Sequence, residues 1–223
     1  MKKENIFNTL VEVQRYYYQK KQSHYIMKCQ EEHLQDFANN LEAYFNTPCF
    51  IEKFTIPSFE EEVKIDRILC YETFSFLKED DTLLRTAKQF LETKVEAFLI
   101  VLGQRLTPAT LRNENAFPPI KKEVFNASFT AYNTQVTKAV RAFEKHSERT
   151  NTSFWGKIAG NPKEKEEKVK QIIHHILENK TWWNVFYHFK HELIYEVRIA
   201  SGQGVRWKKD TLDFIGFVEP FIN

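Results

Sequence analysis

The sequence predicts an α+β protein, mainly helical, ending in a three-stranded antiparallel meander packed on helices. Three observations carry this. Apolar residues recur at spacings of three and four up to about Leu177, the period falls to two between Leu193 and Ala200, and turn residues then separate strand-like runs.

Ile6, Leu10, Val13 and Tyr17 make the stripe of a first helix, and Leu34, Phe37, Leu41 and Tyr44 that of a second, stopped by Asn46-Thr47-Pro48. Phe50 to Ile56 holds β-formers and reads as a short strand. A third helix starts at Asp81 as N-cap and runs through Leu84, Ala87, Leu91, Val95, Phe98 and Leu102 to a left-handed Gly103. Thr107-Pro108 opens a short helix to about Arg112. The next helix spans about Ser128 to His146, and Asn161-Pro162 opens another with Val169, Ile172, Ile173, Ile176 and Leu177 inward. The meander follows as Leu193 to Ala200, Val205 to Lys208 and Phe214 to Val218, with Ser201-Gly202-Gln203-Gly204 as its first turn.

The 223 residues carry 32 basic and 30 acidic side chains, a net charge of +2. The division along the chain is less even: 15 basic against 18 acidic residues up to Ile120, and 17 against 12 after it. All four Trp and five of seven His also lie in the later part. Arg112 to Pro119, with two prolines, is the natural boundary, giving a helical part over 1–117 and a basic, Trp-rich helix-plus-meander part over 118–223, or one continuous domain.

The composition excludes a disordered, collagenous or disulfide-built chain. The longest apolar run, Ala97 to Leu102, is far short of the roughly 20 residues of a membrane helix, and no signal segment follows the basic start. Cys29, Cys49 and Cys70 follow no ligand spacing and read as reduced thiols, so a cytoplasmic protein is expected. No membrane partner, cofactor or metal is expected; His188-x-x-His191-Glu192 matches no zinc signature.

Lys138, Arg141, Lys145 and Arg149, spaced 3, 4 and 4, lie along one helical face and could neutralise successive phosphates, unless Glu144 and Glu148 take up those cations. Trp155 sits in a glycine-bearing loop before a helix; Arg198, Arg206 and Trp207 flank the Ser201–Gly204 turn, where guanidinium and indole suit an anion with a stacked ring. The alternative for the two arginines is internal pairing with the carboxylate of Glu196 or Glu219. Together with Lys208, these residues make the first expectation a non-catalytic binding or assembly module that holds a nucleic acid, a phosphorylated ligand or an acidic protein partner.

Two alternatives stand beside it. Arg141-Ala142-Phe143-Glu144-Lys145-His146 resembles the Arg-x4-6-His motif of the HEPN ribonucleases. That resemblance implies an all-α, dimeric, metal-independent RNA-cleaving enzyme in which Arg141 holds a phosphate and His146 transfers protons. The other alternative is a structural subunit whose many Phe and Tyr line a protein interface.

Overall fold

The computed structural model describes residues 3–47, 61–79, 81–149, 155–190 and 192–220. Contacts divide the chain into two compact units: Met1–Thr55, Val63–Leu106 and Leu111–Phe117 form the first, and Ile56–Glu62, Thr107–Thr110 and Pro118–Asn223 the second. No helix among the described residues is long and apolar enough to cross a membrane.

The first unit holds α1 (Lys3–Lys20), α2 (Glu31–Asn46), α3 (Arg67–Glu72), α4 (Leu83–Leu91) and α5 (Val95–Val101). The expected stripes of α1 and α2 are its core: Ile6, Leu10, Val13, Tyr17, Leu34, Phe37, Leu41 and Tyr44 are all buried. Phe37 stacks on Phe98 at 4.1 Å, and Tyr17 donates its hydroxyl to the Ala87 carbonyl. The strand expected at 50–56 lies outside the described residues.

The third helix departs from its expected continuous run. It breaks between α4 and α5 because Thr93 closes the turn onto the Phe90 carbonyl through both its amide and its hydroxyl, and Lys94 is extended. Thr82 caps α4 in place of Asp81, and Leu84 and Leu91 are exposed. Gly103 is left-handed, as its place after the helix requires.

The second unit holds α6 (Lys121–Ser128), α7 (Lys138–Arg149), α8 (Pro162–Glu178) and a four-stranded antiparallel sheet in the order β1 (Lys180–His188), β2 (Glu192–Ile199), β3 (Gly204–Lys208), β4 (Phe214–Val218). The helix expected over 128–146 is interrupted. The Asn133 side chain accepts from the amides of Gln135 and Val136, folding the chain back before α7 begins. Asn161 caps α8, its side chain accepting from the amides of Lys163 and Glu164, with Pro162 following it.

The sheet has one strand more than the three expected. β1 lacks the alternation that marks a half-buried strand, because Trp182 to Val185 are all buried. The segment expected as a short helix after Thr107 instead borders β1: Thr110 bridges Phe186, and Tyr187 donates its amide to the Ala109 carbonyl. The helix-facing side of the sheet carries Val185, Tyr195, Val197, Trp207 and Phe217, and the opposite side carries Asn184, Glu196 and Arg206.

Candidate functional site

Helix α7 brings the first group of candidate residues to the sheet. Ala139, Val140 and Phe143 are buried, and Phe143 meets Phe217 of β4 edge-to-face at 5.1 Å. His146 stands one turn beyond Phe143 on the same side of the helix. Its Nε2 lies 3.2 Å from Glu219 Oε1, just past β4, and its ring meets Trp155 edge-to-face at 6.2 Å. Trp155 also packs on Phe217 at 5.2 Å, so the imidazole has an aromatic wall on one side and a carboxylate on the other. The two groups lie within ion-pair distance of each other.

The cations of α7 divide into two sets. Lys138 is 2.7 Å from Asp213, whose carboxyl is held below its usual range chiefly by that hydrogen bond. Glu144, a competitor for the helix's own cations, pairs with Lys165 of α8 at 2.8 Å. Half-buried Arg141 and exposed Lys145, four residues apart and on one face, have no carboxylate partner among the described residues. The side chain of Arg149 lies outside what is described. His146 is five positions on from Arg141, so about 140° of helix turn lies between them, and the motif does not by itself set them side by side.

Arg198 and Arg206 meet, as their places beside one turn suggested, but on a carboxylate. Glu196, 1% exposed, accepts from Arg198 Nε through one oxygen and from Arg206 Nε through the other. Arg198 is itself 3% exposed. Its terminal nitrogen donates to the carbonyls of Gly202 and Glu219, at 2.6 and 2.5 Å. Desolvation works against its charge, and Glu196 offsets that. Gly202 is required there: it has φ +91°, and a Cβ would come within 2.8 Å of Pro220. Arg198 therefore ties the β2–β3 turn to the chain after β4, and through Glu219 it is joined to His146.

Trp207 was expected to offer a surface for stacking, and it lies in the core instead. It is fully buried, stacks on Tyr195 at 5.8 Å and donates its indole N–H to Ser128 Oγ at 3.0 Å. Exposed Lys208 remains available on β3. Among the described residues no group of three or more His, Cys, Asp or Glu could hold a metal ion.

Sequence reasoning missed Asn184, and it weighed Glu219 only as a carboxylate for the two arginines, not as the neighbour of His146. Glu219 is a lone acid after the last strand, and only the fold brings it to His146. Asn184 is buried on β1, where its amide donates to Thr110 Oγ1 at 2.9 Å.

The model of one protein family, the CdiA C-terminal tRNase toxin domain, matches residues 125–219. No curated protein and no solved structure matches the chain. The matched segment starts within α6 and ends on Glu219, and so contains His146, both arginines and their shared carboxylate. A likeness to a nuclease domain overturns the expectation of a non-catalytic binding or assembly module, and it favours the phosphate-ester chemistry set beside that expectation.

Proposed function

We propose that this protein is a ribonuclease acting on transfer RNA through its second unit, with His146 as the proton-transfer group, Glu219 as the residue that positions it, and Arg141 and Lys145 as contacts to the RNA backbone. The observation that carries the reading is the pairing of His146 with Glu219 inside the segment that resembles a tRNase domain. The chemistry needs little more. The 2′-oxygen of the RNA attacks the adjacent phosphorus and loses its proton, the bond from phosphorus to the 5′-oxygen breaks, and that oxygen takes up a proton. His146 serves one of these transfers, and neighbouring cations oppose the charge that builds on the phosphoryl oxygens. The all-α architecture implied by the HEPN resemblance is not adopted, since the second unit is built on a sheet. The reading therefore keeps the chemistry of that motif without its fold.

The test is product analysis. The full chain is incubated with unmodified transfer RNA, with and without a chelator, and the new ends are identified. Fragments ending in a 2′,3′-cyclic phosphate and a 5′-hydroxyl, formed in both conditions, are expected. Intact RNA, or fragments with 5′-phosphates, would overturn it.

A further inference from the structure

The side of the sheet turned away from the helices has a polar centre. One row of register partners crosses all four strands: Asn184, Glu196, Arg206 and Gly216. Glu196 is already neutralised by Arg198, which is almost fully buried with it. The second guanidinium, on Arg206, is thus surplus to what the buried carboxylate needs and leaves the three groups with one net positive charge. That charge is partly exposed, so either water or an anion can meet it.

Arg206 is placed to meet an anion. Its side chain is 26% exposed, its Nε is held by Glu196, and its terminal amino groups have no acceptor among the described residues. The neighbour across β4 is Gly216, where a Cβ would meet nothing within 4 Å. The register slips at this point, leaving Ile215 without a partner between Phe214 and Gly216, a bulge of the kind that opens a strand beside a binding site. Lys208, two residues along β3 on the same side, is exposed. A guanidinium fixed at one nitrogen, with its fork turned to open space, is suited to grip a phosphate through two parallel hydrogen bonds.

We propose that Arg206, above the bare backbone of Gly216, binds a phosphodiester of the RNA substrate. The identity of that anion rests on the ribonuclease reading; the anion site itself rests on the sheet. Arg206 and His146 stand on opposite faces of the sheet, linked through Arg198 and Glu219 at the end of β4.

The test uses the full chain and a 2′-O-methyl RNA hairpin, which internal attack cannot cleave, with binding followed by fluorescence anisotropy over a range of salt. Arg206→Ala should weaken binding about tenfold at low salt and lower the slope of log affinity against log salt by about one, while Arg206→Lys keeps the slope. An Arg206→Ala protein with the wild-type melting temperature, affinity and slope would overturn the proposal. Phenylglyoxal modification of the wild type, mapped by mass spectrometry, gives the same answer without a variant: saturating hairpin should slow the reaction at Arg206 at least fivefold, and an unchanged rate contradicts the site. Since this RNA is not cut, failure here leaves the role of His146 untouched, and an active His146→Ala enzyme would leave the Arg206 site standing.

Discussion

His146 and Glu219, 73 residues apart in sequence, face each other with 3.2 Å between Nε2 and Oε1. If Glu219 positions the imidazole, Glu219→Gln should lower kcat at least tenfold and leave KM within about twofold, because the amide keeps the shape but removes the carboxylate facing the ring. Single-turnover and steady-state rates on transfer RNA check this. Glu219 also accepts from Arg198 through its main-chain carbonyl, which the substitution leaves in place, so the melting temperature should hold.

Glu196 lies between two guanidiniums in the sheet, and its loss leaves Arg198 charged, buried and unpaired. Glu196→Leu is therefore expected to cost about 3–5 kcal/mol in urea unfolding. Adding Arg198→Met should recover most of it, since an apolar pair of similar volume avoids burying a charge at all. A double variant no more stable than Glu196→Leu alone would show that the arginine's bonds to Gly202 and Glu219 matter more than its charge.

Trp207 separates core from surface. Trp207→Phe removes the indole donor and leaves Ser128 Oγ without it, at a cost of about 1–3 kcal/mol, while RNA affinity stays unchanged. Ser128→Ala in the same background should add only the loss of the bond from Ser128 Oγ to the Val124 carbonyl, because the bond to the indole is already gone. Weaker RNA binding by a folded Trp207→Phe protein would contradict its place in the core.

Lys138 holds the Asp213 carboxyl below its ordinary value of 3.8. A carboxylate whose folded value is depressed adds stability above its unfolded value, and that stability fades as pH falls through the folded one. The difference in unfolding free energy between wild type and Lys138→Met should accordingly be level from pH 7 to about 5 and shrink below pH 4. Denaturation at a series of pH values measures it. The pair is largely exposed, so salt should reduce the difference.

What the sequence made legible follows from how local each signal is. The stripes of α1, α2 and α8, the Asn161-Pro162 start and strands β2 to β4 are written in residues a few positions apart, and the structure bears them out. β1 was missed because both its faces are covered, which erases the period of two. The breaks at Thr93 and Asn133 come from single side chains bonding to their own backbone, against an apolar spacing that reads straight through them. In the site, the meeting of Arg198 with Arg206 is legible from the turn between them, and so is a carboxylate such as Glu196 between the two. The partner of His146 was not legible, since nothing near His146 in sequence points to an acid beyond the last strand.

The central claim is that His146 carries the proton transfer of RNA cleavage. End-labelled transfer RNA incubated with equal amounts of wild type and His146→Ala, each first shown to melt at the same temperature, tests it most directly. Discrete fragments from the wild type, and a rate lower by about 100-fold or more in the variant, are expected. Cleavage by His146→Ala at the wild-type rate would contradict it.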